Sequence, residues 1–170
     1  MTERLWTIRF ALPHDIEALH CIETQAAHIF QSLDEFSWLA QAAPLPTERQ
    51  SQLIASGTVF VATTMKDKPI GFLTAEVIDN RLHIVELSVL PDWQRMGIGR
   101  ALIDVAKDTA ISRRLTALTL TTFRTVPWNA PFYAELGFEE SQDEALQQHL
   151  KADADHGLPY KHRCAMALTL

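Results

Sequence analysis

A buried strand, a glycine-containing turn and an amphipathic helix follow one another between residues 82 and 112. Residues 82–90 are mostly apolar at both alternating positions, which is typical of a strand covered on both faces. Pro91 ends that run, and from Ile98 apolar residues recur at the spacing of one helix face. A chain with this segment at its centre is predicted to fold as an α/β protein.

The turn between strand and helix has the composition of an anion site. Gly97 and Gly99 lie at the predicted helix start, where main-chain N–H groups are unpaired and the helix dipole is positive. Glycine lets a phosphate approach the backbone closely, and Arg95 and Arg100 add positive charge beside it. The turn is therefore predicted to bind a pyrophosphate.

The remaining elements are predicted from alternation, helix periodicity and turn residues. Thr47 and Gln50 have the spacing of a capping box, and Phe36 and Trp38 fall in a segment without a clear period. Further strands are predicted at residues 5–12, 58–64, 69–77, 115–122, from 138, and 161–170. Further helices are predicted from residue 15 to about 29, and at residues 48–56, 130–136 and 142–156.

These elements predict a single α/β domain over residues 1–170 with a mixed sheet. The strands at 58–64, 69–77 and 82–90 are joined by short polar turns, which favours antiparallel pairing. The strand at 115–122 follows the central helix, so it is expected to return parallel to residues 82–90 through a right-handed crossover.

Composition narrows the class of protein. The chain has 170 residues, 47% of them hydrophobic and 21% charged, which is ordinary for one globular domain. A net charge of -6 argues against a nucleic-acid binder. No long apolar run or secretory leader is present, which predicts a cytoplasmic protein without a membrane segment. Cys21 and Cys164 form no ligand motif and the histidines lack zinc spacing, so no metal is predicted.

The turn resembles a known cofactor motif. It has neither the Walker pattern nor three dinucleotide-binding glycines, but Gln94, Gly97 and Gly99 match Gln/Arg-x-x-Gly-x-Gly/Ala. That motif is the acyl-CoA signature of the GNAT superfamily of N-acyltransferases. Residues 85–93 (VELSVLPDW), 100–103 (RALI) and 128–138 (WNAPFYAELGF) resemble the surrounding family blocks.

The resemblance implies a six- or seven-stranded mixed sheet with a splayed parallel pair at its centre, where pantetheine fits. It also implies cofactor contacts from the central strand and from the turn. The residues concerned are Leu87, Ser88, Val89, Gln94, Arg95, Met96, Gly97, Ile98, Gly99 and Arg100. Asn129 resembles a further cofactor contact, although helix capping explains it equally well.

Two side chains are candidates for proton transfer. Tyr133 matches the family tyrosine that protonates the departing sulfur, and a half-buried anchoring tyrosine is the alternative. Glu86 lies near the position of the general base in many family members, and its expected desolvation would raise its pKa. A structural Glu86 held by hydrogen bonds is the alternative, and His83 is a less favoured base.

The acceptor site is weakly defined by the sequence. The residues Phe36, Trp38, Phe123 and Trp128 lie where the family shapes its substrate cleft, and core packing explains them nearly as well.

The predicted function is transfer of an acetyl group from acetyl-CoA to a primary amine by direct attack. A non-catalytic acyl-CoA sensor or scaffold is the alternative, a nucleotide-phosphate binder of another fold is a third hypothesis, and a homodimer is possible.

Overall fold

A computed structural model describes residues 3–170, and this part of the chain contains seven strands and five α-helices. The strands are β1 (Trp6–Phe10), β2 (Val59–Thr64), β3 (Pro69–Ile78), β4 (Arg81–Val89), β5 (Ala117–Phe123), β6 (Glu139–Glu140) and β7 (Arg163–Thr169). The helices are α1 (Ile16–Ala27), α2 (Thr47–Ala55), α3 (Ile98–Ser112), α4 (Ala130–Glu135) and α5 (Glu144–Asp155). Short 3-10 turns occupy Pro13–Asp15, His28–Ser32, Asp34–Gln41, Pro91–Trp93 and Tyr160–His162.

The strands form one mixed sheet in the order β1-β2-β3-β4-β5-β7-β6. β2 pairs antiparallel with β1 and β3, and β7 pairs antiparallel with β5 and β6. β4 and β5 are parallel, with Leu82 opposite Leu118 and Ile84 opposite Leu120. The predicted α/β fold with a central parallel pair is confirmed, and the strand number is seven.

The residues group into two compact units. The N-terminal unit comprises Met1–Glu76 and Val85–Ala106, and the C-terminal unit comprises Val77–Ile84 and Lys107–Leu170. The assignment of residues 1–170 to one domain stays a prediction.

The N-terminal unit is built on β1, β2, most of β3 and helices α1 and α2. Residues 59–62 of β2 are apolar and buried at four consecutive positions, and the apolar residues of α1 recur on one helix face that turns inward. The buried cluster consists of Ala11, Leu19, Ile22, Leu53, Val59, Val61 and Phe72. The predicted first helix was too long, because α1 ends at Ala27 and Ile29 lies in the 3-10 turn that follows.

An ion-pair network joins β1 to the turn that precedes α1. Arg9 Nη1 donates to Asp15 Oδ2 at 2.8 Å, and the Leu12 N–H donates to the same oxygen at 2.7 Å. Arg9 Nε also donates to Asp67 Oδ1 at 2.8 Å. Burial opposes ionisation of Asp15, but Arg9 and the Leu12 N–H outweigh it and hold the pKa of this carboxyl below its ordinary value.

The predicted capping box at α2 is wrong. Thr47 is the first helical residue, Pro46 occupies the N-cap, and no side-chain cap bond is made. Gln50 is 1% exposed, and its Nε2 donates to Thr74 Oγ1 of β3 at 2.9 Å. A buried amide requires a hydrogen-bond partner, so the Gln50 side chain makes this bond in the core and does not cap the start of α2.

In the C-terminal unit, α5 packs on β7 through Leu146, Leu150 and Ala165. Asp143 caps α5 by accepting from the Leu146 N–H at 3.2 Å. Across residues 3–170, no helix has the length and apolar character required to span a bilayer.

Candidate functional site

The anion loop, residues 94–100, connects β4 and the turn Pro91–Trp93 to α3. Arg95 has φ of 60° and Gly97 has φ of 82°, after which α3 begins at Ile98. The Ala101 N–H donates to the Gly97 carbonyl at 3.1 Å, which is the first bond of the i to i−4 pattern in this helix. The amides that precede Ala101 in the helix point along the axis toward its N-terminal end, so they form an anion-binding end.

The loop is open where an anion would approach it. Arg95, Met96, Gly97 and Arg100 are exposed, whereas Ile98 is 1% exposed and anchors the helix start in the core. A Cβ placed on Gly97 would meet no atom within 4 Å, so glycine is needed there for its positive φ and not for space.

Gln94 has a structural contact that the motif alone does not reveal. Its Nε2 donates to the Val89 carbonyl at 3.0 Å, so the side chain ties the loop to the end of β4. Any contact from Gln94 to a cofactor would therefore compete with this bond, and its predicted cofactor role stays a prediction.

Gly71 was not singled out by the sequence, although it shapes this part of the N-terminal unit. A Cβ on Gly71 would lie 3.2 Å from the Ser88 carbonyl oxygen, 3.2 Å from Val89 Cγ2 and 3.3 Å from Ile98 Cγ2. The absence of a side chain allows β3 to approach both β4 and the first residue of α3. An isolated glycine in a predicted strand is the signal that indicates such a close approach.

Glu86 is half-buried on β4, next to the buried Ser88. Ser88 Oγ donates to Glu86 Oε1 at 2.7 Å, which places both side chains on one strand face as the alternation predicts. Burial raises the pKa of Glu86, and this effect exceeds the opposing hydrogen bonds from the Ser88 hydroxyl and the Leu87 N–H. A carboxyl with raised proton affinity has the property that a general base for an amine requires.

Glu23 is a second carboxyl that the sequence analysis missed. It is half-buried on α1, and its Oε2 accepts from the Leu45 N–H at 3.2 Å. Burial, followed by the charge of Glu86, raises the pKa of Glu23 to about 8. A signal was available, because Glu23 lies one turn after the buried Leu19 and beside the buried Ile22 on the apolar side of α1.

Neither carboxyl is compensated by a cation. Within residues 3–170, the groups that act on Glu23 are Glu86 and the Leu45 amide, and those on Glu86 are Ser88 and the Leu87 amide. Two half-buried acids without a basic partner are unfavourable in folded proteins and are found preferentially at functional sites.

Tyr133 and Asn129 belong to the C-terminal unit. Tyr133 is 9% exposed on α4, with its ring edge-on to Phe132 at 5.2 Å and Phe138 at 5.6 Å. Asn129 occupies the N-cap of α4 but its side chain makes no cap hydrogen bond. The capping explanation for Asn129 is therefore wrong, and its half-buried amide has hydrogen-bonding capacity left for a ligand.

The four aromatic residues predicted for the acceptor cleft differ in environment. Phe36 and Phe123 are buried, at 5% and 6% exposure, which favours core packing. Trp38 is 47% exposed and Trp128 is half-buried. Their role at an acceptor stays a prediction.

Arg163 was not singled out by the sequence either. It is 8% exposed, it donates to Asp153 Oδ2 at 2.8 Å and to Thr121 Oγ1 at 3.2 Å, and its guanidinium lies 5.3 Å from the Phe123 ring centroid. Burial lowers its pKa, which shows how strongly the guanidinium is desolvated.

His83, the less favoured base, is buried in the C-terminal unit. Its Nδ1 lies 2.9 Å from Thr119 Oγ1, and its ring centroid lies 4.5 Å from that of His149. The described residues, 3–170, contain no group of three or more His, Cys, Asp or Glu side chains arranged to hold a metal ion.

Comparison with known proteins gives the family. The model of the acetyltransferase (GNAT) family matches residues 24–138, which is more than half of the chain. The chain therefore belongs to the acetyltransferase (GNAT) family and is an acyl-CoA-dependent N-acetyltransferase.

Solved structures support the same fold. The PaiA N-acetyltransferase from Thermoplasma acidophilum in complex with coenzyme A has a TM-score of 0.72 at 17% identity, covering 97% of this chain and 99% of its own. The ribosomal-protein-S18-alanine N-acetyltransferase from Escherichia coli has a TM-score of 0.66 at 22% identity, covering 96% and 93%. N-acetylglutamate synthase from Neisseria gonorrhoeae, complexed with coenzyme A and N-acetyl-glutamate, has a TM-score of 0.73 at 18% identity, covering 99% and 36%.

Proposed function

We propose that the chain transfers an acetyl group from acetyl-CoA to a primary amine by direct attack of the amine on the thioester. The observation that carries this proposal is the open anion loop at the start of α3, with Arg95 and Gly97 in the left-handed conformation. The coenzyme A in structurally similar family members supports acetyl-CoA as the cosubstrate.

The cofactor would be held mainly by main-chain groups. Amides between Arg95 and Arg100 would bind the pyrophosphate, because they lie at the positive end of the α3 dipole. Leu87, Ser88 and Val89 would bind pantetheine and the acyl carbonyl through their main chain. The Asn129 amide would add a side-chain contact.

The chemistry requires a neutral amine and a proton for the leaving thiolate. Glu86 would take the proton from the attacking amine, directly or through water, because its raised pKa gives it adequate basicity. Tyr133 would donate to the departing sulfur, since a phenol is neutral and able to donate near pH 7. No covalent enzyme intermediate is needed.

Turnover tests the proposal directly. The purified full chain, given acetyl-CoA and a panel of amines, is expected to release free thiol in an amine-dependent manner. Tyr133→Phe should slow that release by roughly tenfold to a hundredfold if the phenol is the acid. Tyr160→Phe is the matched control, because Tyr160 is an exposed tyrosine whose hydroxyl bonds to Gln147.

Two outcomes would redirect the assignment. Tight coenzyme A binding without thiol release across the whole panel would favour an acyl-CoA sensor or scaffold. Thermal protection by ATP or NAD that exceeds protection by coenzyme A would favour a nucleotide-phosphate binder. A Tyr133→Phe rate equal to that of the unmodified chain would remove the acid role from Tyr133.

The remaining features of the function stay predictions. These are the acceptor contacts of Phe36, Trp38, Phe123 and Trp128, the cytoplasmic location, the absence of nucleic-acid and membrane partners, and a possible homodimer.

A further inference from the structure

A small polar pocket lies within the C-terminal unit, between β4, β5 and the start of α5. Its volume is about 60 Å³, which is room for a small ion or a few water molecules and far too little for coenzyme A. The polar side chains of its lining are Asp79, Arg81, His83, Thr119 and His149. Because α5 lies beyond residues 24–138, the family assignment does not account for this pocket.

Two histidines supply hydrogen-bond donors to the pocket. His83, on β4, is 4% exposed, and its Nδ1 lies 2.9 Å from Oγ1 of Thr119, its register partner on β5. His149, on α5, is half-buried, and its ring centroid lies 4.5 Å from that of His83. A neutral imidazole donates from one ring nitrogen and a protonated one donates from both. The two rings therefore gain donors and positive charge as the pH falls.

Arg81 supplies a permanent positive charge at the same pocket. Its side chain is 19% exposed, and its Nη2 donates to Asp143 Oδ1 at 3.3 Å, which is the one side-chain hydrogen bond of Arg81 within residues 3–170. The same Asp143 oxygen also accepts from the Leu146 N–H at 3.2 Å. Because a guanidinium has several N–H donors, most of those of Arg81 remain for a ligand.

We propose that this pocket binds a small oxyanion, a carboxylate or a phosphate, held by Arg81, His83 and His149. Carboxylate and phosphate both accept paired hydrogen bonds from a guanidinium, and their other oxygens accept from imidazole N–H groups. The volume suits an anion of about four or five heavy atoms.

The charges around the pocket predict how binding depends on pH. Asp79 is exposed on the turn between β3 and β4, and Asp143 pairs with Arg81. With both imidazoles neutral, two carboxylates outnumber one guanidinium, so an anion is held weakly. Protonation of His83 or His149 removes that excess of negative charge, so binding should tighten as the pH falls from about 8 to about 6.

The other elements around His83 add little charge to the pocket. β5 has no titratable side chain. The other titratable groups on α5 are Glu144, Lys151, Asp153 and Asp155, of which Asp153 pairs with Arg163.

A metal ion is the other ligand that paired histidines suggest. Within residues 3–170, no third His, Cys, Asp or Glu joins His83 and His149 in a metal-binding group. Arg81 in the lining would also repel a cation. An anion therefore fits the pocket better.

NMR of the histidine side chains in the full chain tests this proposal. Long-range 1H-15N spectra report on both ring nitrogens, and the variants His83→Gln and His149→Gln assign the two signals. Sodium acetate and inorganic phosphate are titrated separately in a chloride background. At about pH 6 at least one of these anions should shift both signals saturably, and at about pH 8 its binding should be about tenfold weaker, because fewer imidazoles carry a proton.

Variants separate this pocket from the anion loop. Arg81→Met should weaken binding at least about tenfold, because it removes charged donors. Arg81→Lys keeps the charge but loses the paired donors, so it should weaken binding severalfold and serves if Arg81→Met does not fold. Arg100→Met, in the anion loop, and His156→Gln, an exposed histidine after α5, are the controls and should leave the His83 and His149 responses unchanged.

Each outcome decides for or against the anion site. A response to acetate alone supports a carboxylate ligand, and a response to phosphate alone supports a phosphate ligand. Signals of His83 and His149 that respond to neither anion at millimolar concentration, or that respond equally in the Arg81 variants, would refute the proposal. Zn²⁺ that shifts both signals when neither anion does would make the pocket a metal site instead. No acetyl transfer is involved in these measurements, so the proposed function is tested separately.

Discussion

Glu23→Gln should change the pH dependence of the free energy of unfolding. In the folded chain the pKa of Glu23 is raised from 4.5 to about 8, so between these values the folded state binds more protons than the unfolded state. Stability is therefore lost as pH rises through this window, and the loss is complete once Glu23 ionises. Glutamine does not titrate, so the free energy of unfolding of the variant should rise relative to that of the unmodified chain as pH increases.

The magnitude follows from the window that can be measured. Each pKa unit corresponds to about 1.4 kcal/mol. Raising the pH from about 6 to about 9 therefore changes the difference in unfolding free energy between Glu23→Gln and the unmodified chain by at most about 3 kcal/mol. Partial exposure of Glu23 and its coupling to Glu86 reduce this to about 1–2 kcal/mol.

Urea unfolding at both pH values, followed by circular dichroism, measures this difference. Glu17→Gln is the control and should give a difference that does not depend on pH. A Glu23→Gln difference that is equal at both pH values, or that favours the unmodified chain more at high pH, would refute the assigned desolvation of Glu23.

Three further substitutions test other parts of the structure. Gly71→Ala should destabilise the chain by about 1–3 kcal/mol in urea unfolding, because its Cβ contacts at 3.2 Å force neighbours to move. Gly97→Ala should cost about 1 kcal/mol of stability, because alanine must adopt φ of 82°, and calorimetry should show weaker coenzyme A binding. Asp15→Asn should cost about 2 kcal/mol at pH 7 by loss of the charged Arg9 contact, and the cost should shrink as pH falls below about 4, because the pKa of Asp15 in the folded state lies below its ordinary value of 3.8. A cost for Asp15→Asn that stays constant from about pH 7 to about pH 2 would contradict the assigned pair.

The elements that the sequence predicted well are those with a strong local pattern. β4, the anion loop and α3 combine an apolar strand, two glycines and a helical stripe, and all three lie where those patterns indicate. The errors arise where tertiary contacts override local preference. Thr47 and Gln50 have the spacing of a capping box, but the Gln50 side-chain amide donates its hydrogen bond to the buried Thr74 hydroxyl instead. Local spacing carries no information about a partner on β3.

The candidate site was predicted in part for the same reason. Glu86 could be singled out because a charge interrupts an apolar strand, and its burial is reproduced in the structure. Glu23 was not singled out because the sequence shows it as one of several polar residues on α1, and its significance depends on a carboxyl far away in sequence. Contacts between distant segments, such as those of Arg163 with Asp153 and Thr121, are likewise not encoded in any short motif.

The left-handed backbone of Arg95 has a consequence for engineering this chain. A residue with a side chain at φ of 60° carries a conformational cost of about 1 kcal/mol or more that folding must supply before any ligand arrives. Glycine at this position would relieve that cost, but it would also free the loop to leave the shape that an anion needs and would remove a positive charge. A search for thermostable variants would therefore tend to select Arg95→Gly. Such a variant would have a higher melting temperature and a loop that binds its anion less tightly.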